Sequence, residues 1–209
     1  MYRPPHFTEK DRQAILEFMQ EHPFATLILS HEGKSYVTQV PVMLEERDEE
    51  LYITGHIYRH ADHYPALANS AEALLLFTGA HCYVSASWYT RRGQASTWNY
   101  LSAQARGAVR MMDNEETLEL ITALTHQYED GQVIPEIVEH MSDEYVTTNL
   151  QAIVGFEITV SQLDATFKLN QNKDDESYKN VVDQLMATED FNSIIIAGEM
   201  MKLRPHLFV

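Results

Sequence analysis

Cysteine is nearly absent. Cys82 stands alone in 209 residues, so no disulfide can form within the chain, and the composition fits a reducing compartment. Its place beside Tyr83 and Val84 suits a small core residue better than a nucleophile. Long apolar runs are missing as well. No stretch approaches the roughly 20 residues that a membrane-spanning helix needs, and the opening MYRPPHFTEKDR lacks the apolar segment of a signal peptide, so a cytoplasmic protein with no membrane contact is expected. Positive charge is scarce: 15 Lys and Arg face 31 Asp and Glu, a net charge of −16. Such a surface repels the phosphate backbone, which makes direct DNA binding doubtful, and no helix-turn-helix pattern or basic helix offsets it. The eight glycines do not cluster, which removes Rossmann and P-loop phosphate binding. No serine lies in a G-x-S-x-G turn, and no His/Asp pair accompanies one, so hydrolase chemistry has no support. The ten histidines, among them His56, His60 and His63, come without the ligand spacing of a metal site, and no metal is expected.

What is present is ample apolar surface, 44% of residues, enough for a full core in a single domain spanning 1–209. The pattern predicts a first helix with Thr8 at its cap and Ile15, Phe18, Met19 and His22 on one face, ended by Pro23. Strands follow at Phe24–Ser30, Ser35–Leu44 and Leu51–His56, with turns at His31–Lys34 and over the charged run Glu45–Glu50. Arg59–Asn69 has helical spacing with Pro65 in its first turn. Further strands are expected at 71–79, His81–Tyr89, Thr97–Met112 and Ala152–Val160. Helices are expected after Asp113 or Asn114, from Pro135 through Met141, and around Val181–Met186. The sum is a mainly β, α+β chain: a closed or nearly closed antiparallel barrel of about six strands with helices packed outside.

The stretch His81–Gly107 holds both tryptophans, in Ser-Trp-Tyr and Thr-Trp-Asn-Tyr. Two readings stay open on the residues alone. The rings can fill the core of a hairpin, or rings, hydroxyls and amides together can wall a concave site for a flat anionic ligand. Composition favours the first, since aromatic enrichment in strands is ordinary; the distribution of charge bears on the second. From Leu51 to Arg110 five arginines (59, 91, 92, 106, 110) face only Asp62 and Glu72, a +3 island in a chain whose remainder is −19.

Several motifs carry a resemblance to a known family. Met1-Tyr2 with Pro4-Pro5-His6-Phe7, Thr38-Gln39-Val40-Pro41, Gly55-His56-Ile57-Tyr58-Arg59, the run Gly79–Tyr89, Thr97-Trp98-Asn99-Tyr100, Val154–Ile158 and Lys168-Leu169-Asn170-Gln171-Asn172 together resemble the PaiB family of FMN-binding negative transcriptional regulators. This family sits within the FMN-binding split-barrel group. The resemblance implies a split β-barrel in Greek-key arrangement with peripheral helices, a helical insertion at about 114–150 and a C-terminal extension at about 161–209. It further implies a homodimer with FMN held at the interface.

On that resemblance, Thr38, Gln39, Val40 and Pro41 would border the flavin ring. Gly55, His56 and Arg59 would lie near the ribityl phosphate. Ser85, Ser87, Trp88 and Tyr89, with Thr97, Trp98, Asn99 and Tyr100, would form the remaining wall. No catalytic residue is assigned. The chain departs from the family pattern at Gln39 and Gln104, where histidine is usual, and at Ala86 in place of proline; Tyr58 and His60 replace small residues beside Arg59. Glutamine keeps hydrogen bonding but cannot change charge near neutral pH. The implied function is negative regulation of transcription, indirect or ligand-linked, with a possible regulatory protein partner. A flavin-dependent oxidoreductase or flavin reductase is the alternative, and haem binding on a related barrel is a third reading.

Overall fold

Alternation of apolar and polar side chains sets the strands of this protein. In the computed structural model, which describes residues 1–208, the order is β1 (Thr8–Glu9), α1 (Arg12–Glu21), β2 (Phe24–His31), β3 (Lys34–Arg47), β4 (Glu50–Tyr58), α2 (Tyr64–Asn69), β5 (Glu72–Val84), β6 (Thr97–Met111), α3 (Asn114–Glu129), α4 (Asp143–Ala152), β7 (Ile153–Lys168), α5 (Asp175–Met186) and α6 (Phe191–Leu203). Short 3-10 turns lie at Ala86–Trp88, Val138–His140 and Pro205–Leu207. The strands form one antiparallel sheet in the order β1-β7-β4-β3-β2-β5-β6, and β6 also pairs with β7. The chain divides into two compact units.

The larger unit comprises Gln20–Phe77 and Gln104–Leu163. Here β2, β3 and β4 run as consecutive hairpins, with Leu27 opposite Thr38 and Val42 opposite Gly55, and β5 returns beside β2 with Leu27 opposite Leu75. This is the Greek-key order. The first part of β7 pairs with β4, Ile53 opposite Ile158, and with β6, so six strands close on themselves as the spacing predicts. Alternate residues Ala25, Leu27 and Leu29 point to the core, as do Leu75 and Phe77. The opposite face of β2, β3 and β5 keeps Phe24 and Val37 exposed, with Ile28, Leu74 and Leu76 half-buried.

The smaller unit comprises Met1–Met19, Thr78–Ala103 and Asp164–Val209. Its core joins Met19 and Cys82 to Tyr178, Leu185, Ile196 and Met200 from α5 and α6. β1 pairs with the end of β7, Thr8 opposite Thr166. No helix among the described residues is long and apolar enough to cross a membrane.

Several local expectations are corrected. Thr8 lies in β1 and donates to Pro4 O at 3.0 Å; α1 starts later, where Asp11 Oδ1 accepts from Gln13 N. Glu45–Arg47 continue β3 because Arg47 and Glu45 form ion pairs there, and the turn falls at Asp48 and Glu49, both at positive φ. The runs 71–79 and His81–Val84 are one strand. Pro135–Met141 contains only a 3-10 turn; the helix starts at Asp143, capped by Ser142, whose hydroxyl accepts from Tyr145 N. α6 has no strong apolar stripe in sequence, since Ile194, Ile195 and Ile196 are adjacent, and was not anticipated.

Candidate functional site

In the larger unit, strand alternation divides the Thr38–Pro41 motif. Val40 enters the core, Gln39 is exposed on the opposite face, and Thr38 and Pro41 are half-buried. Pro41 and Gly55 meet: a β-carbon at Gly55 would stand 3.0 Å from Pro41 O and 2.7 Å from the Phe156 ring. The glycine is therefore set by packing inside the unit. His56, opposite Gly155, has a buried Nδ1 without a hydrogen-bond partner, and burial pushes its imidazole pKa down, favouring the neutral ring. Arg59 is already engaged: Nε donates to Ile153 O at 2.6 Å and Nη2 to Asn114 Oδ1 at 3.2 Å.

In the smaller unit, Ser85 opens the Ala86–Trp88 turn. Its Oγ accepts from Ser87 N and lies 2.8 Å from Ser87 Oγ, while Ser96 Oγ accepts from Ala86 N at 3.0 Å. These hydroxyls hold the turn, and Trp88 on it is half-buried. Tyr89 and Asn99 are core residues, 3% and 0% exposed. Asn99 Nδ2 donates to Met200 Sδ, but its Oδ1 has no partner. Tyr89 Oη also has none; Asn170 lies close enough to act on it, yet outside hydrogen-bond geometry. Burial pushes the Tyr89 phenol up. Trp98 faces outward at 53% exposure with Tyr83 at 50%; their ring centroids are 6.0 Å apart, and His81 lies 6.2 Å from Trp98. Thr97 accepts from the Lys168 ammonium, and Tyr100 is half-buried with its phenol pushed up by burial.

The segment Lys168–Lys173 braces this wall. Gln171 Oε1 accepts from Leu169 N, Asn170 takes the left-handed conformation at φ 59° that asparagine tolerates, and Lys173 Nζ donates to Gln94 Oε1 at 2.6 Å over the Tyr89 ring. Thr90 N donates to Ser177 Oγ at the start of α5.

The motifs did not anticipate a cavity of about 430 Å³ in the larger unit, lined by Met43, Leu44, Met112, Leu120 and a charged row. Glu157, 6% exposed, accepts from Arg47 at 2.9 Å and from Arg110 at 2.9 Å, and Arg110 also pairs with Glu116. Glu116 completes a capping box with Asp113 at the start of α3. The signal in sequence was a lone carboxylate inside the apolar run of β7. Arg47, Arg110, Glu45, Glu116 and Glu157 are all paired within the row, so the cavity reads as a structural seam between α3 and the sheet.

Residues 1–162 match the family described as "Putative FMN-binding domain". The chain is 32% identical over 193 residues to the Bacillus subtilis (strain 168) protein named "Protease synthase and sporulation protein PAI 2", covering 92% of this chain and 93% of that one. Among solved structures it is similar to the flavocytochrome Anf3 of Azotobacter vinelandii, TM-score 0.60 at 14% identity over 86% of this chain and 78% of that one. It is also similar to the FAD and heme binding protein of Mycobacterium smegmatis, TM-score 0.56 at 16% identity, 77% and 73% covered. At these identities the two structures speak for the fold alone.

Proposed function

From the premise that this chain belongs to the PaiB-type family of FMN-binding domains, we propose that it is a flavin-linked negative regulator of transcription that acts through a partner or a small-molecule signal. FMN is the cofactor of the family. The observation that carries a ligand site is the unpartnered, buried Nδ1 of His56, next in the strand to Gly55, which packs against Pro41. A buried polar atom without a partner signals a missing water or ligand atom. Taken by itself, the smaller unit keeps Tyr89 and Asn99 in its core and leaves Trp98, Tyr100 and Thr97 as its motif residues able to meet a ligand. When bound, FMN supplies redox-active ring chemistry; the chain would orient it through these side chains, with Gln39 and Gln104 offering hydrogen bonds but no proton switch near neutral pH.

Indirect action follows from charge. α5 and α6 are joined by only four residues, a helix pair that could suggest DNA reading. Yet they hold two lysines, Lys179 and Lys202, against five acids, Asp175, Glu176, Asp183, Glu199 and the N-cap Asp190, and a DNA-reading helix needs the reverse. Phe191 is 74% exposed on α6, with Ile194 and Ile195 also exposed, which fits a protein partner better. The apolar outer face of β2, β3 and β5 supports a homodimer, in the cytoplasm as the lone cysteine suggests. Titrating purified protein with FMN while following the flavin absorption bands tests the cofactor reading. Saturable binding with a shifted spectrum is expected; free-FMN spectra at every ratio would remove it. A gel shift with the protein's own promoter region, showing no complex at low salt, is the expected result for indirect action.

A further inference from the structure

Lys168 ends β7 where this acidic chain supplies no carboxylate. Three other cations of the smaller unit have one: Arg3 pairs with Asp164, Arg204 with Asp175 and Lys202 with Glu199; Lys173, like Lys168, is held by a neutral acceptor, Gln94. Lys168 instead donates to Thr97 Oγ1, and its ammonium lies 5.8 Å from the Tyr2 ring centroid and 5.5 Å from that of Phe7. All four residues belong to the same unit. An ammonium has three N–H donors and no acceptor. Thr97 takes one of them, and ring faces attract a cation without accepting an ordinary hydrogen bond. The side chain is half-buried, and burial pushes its pKa down with no acid acting in the other direction. Desolvating a charge without an opposite charge is costly, and a chain with 31 acidic residues could have supplied one. The arrangement is what a transient anionic partner requires, with the cation placed, partly dried and left without its counter-charge.

We propose that Lys168 and Thr97 form an anion-recognition point for a phosphate monoester. A compact ammonium beside a hydroxyl suits that group, which offers several acceptor oxygens and up to two negative charges. The proposal rests in part on the flavin reading, since FMN carries such a phosphate and Thr97 opens the Thr97–Tyr100 motif. A second phosphorylated small molecule carries the same chemistry. Arg59, the residue that the family motifs assign to phosphate, already spends Nε and Nη2 on Ile153 and Asn114, which leaves the role open to another cation.

The test uses the full chain as wild type, Lys168→Met, Lys168→Arg and Lys179→Met, the last removing an exposed lysine of the same unit as a control for general charge. Each is titrated with FMN, with riboflavin, which has the same ring but no phosphate, and with inorganic phosphate by calorimetry. Loss of one charge-assisted contact should weaken FMN binding by about tenfold or more in Lys168→Met, with riboflavin unchanged within about twofold. Lys168→Arg should keep most of the affinity and Lys179→Met all of it. If FMN binding is unchanged but inorganic phosphate no longer binds the Met variant, the anion belongs to a molecule other than the cofactor and the site stands. Wild type that binds neither FMN nor riboflavin removes the flavin reading, while the phosphate titration still decides on Lys168. Equal losses for FMN and riboflavin, or no dependence of FMN and phosphate binding on Lys168, overturn the proposal. Should Lys168→Met fail to fold, Thr97→Val is read by the same criteria.

Discussion

Gly107 on β6 lies directly against the backbone of Thr159 on β7: a β-carbon at position 107 would stand 1.9 Å from the Thr159 carbonyl oxygen. This contact is at the seam where the six strands of the larger unit close. Neither backbone can yield without opening the β6–β7 pairing. Gly107→Ala is therefore expected to destabilise the protein by about 3 kcal/mol or more, above ordinary overpacking. Urea denaturation should show a lower midpoint, whereas Gly131→Ala, with open space around it, should leave it nearly unchanged.

Glu157 gives a second expectation. Its carboxylate is buried, but Arg47 and Arg110 remain 42% and 49% exposed along their side chains, so on losing their partner they can regain water. Glu157→Ala should then cost about 1–3 kcal/mol, below the figure for a fully buried pair. Glu157→Gln keeps the shape and one acceptor, and should cost about 1 kcal/mol. Thermal melts of both variants check the order. A larger loss for Gln than for Ala would contradict the ion-pair account.

His126 makes a pH-dependent clamp on the segment after α3. Nδ1 lies 2.8 Å from Asp130 Oδ1 and Nε2 lies 3.1 Å from Glu139 Oε1; a neutral imidazole can donate from only one nitrogen, so both bonds require the charged ring. The two carboxylates raise the His126 pKa, Asp130 most, and Glu139 is lowered in return. The sign follows: a raised folded pKa gives a contribution that is complete below the ordinary histidine value near about 6.5 and lost as pH rises through the raised value. Hydrogen exchange across 131–139, where Val133 is 98% exposed, should speed up over that window. His126→Gln should exchange fast at every pH.

The barrel was legible because its strands carry period-two apolar alternation and its Greek-key order follows from short hairpins. The charged run Glu45–Arg47 was misread as a turn, since its stability comes from Arg47 reaching Glu157, 110 residues away, and no local pattern holds that. The directions of the side chains in the motif stretch Thr97–Tyr100 are not legible in the sequence. Asn99 points into the core to Met200 while Trp98 points out, a split fixed by strand register and by a helix, α6, that its three adjacent isoleucines did not announce. Lys168 was visible only as one letter of a motif; its lack of a carboxylate partner is a property of the folded unit.

The exposed outer face of β2, β3 and β5 supplies the last expectation. Val37 is 61% exposed and Phe24 63% exposed, and Val37 sits opposite Ile28, which in turn sits opposite Leu74. Three apolar side chains thus run side by side across three strands, a continuous patch that water covers poorly. Val37 makes little burial of its own in the single chain, so Val37→Glu should leave the thermal midpoint of a monomer within about 0.5 kcal/mol of stability. In a homodimer built on this face the same change places a charge in an apolar interface, and such a charge is costly to bury without a partner. Sedimentation velocity should therefore show the wild type as a dimer and Val37→Glu as a folded monomer. If FMN is held at that interface, its binding falls in the same variant. A wild type that sediments as a monomer at every concentration would remove the dimer reading, and the apolar face would then need another partner.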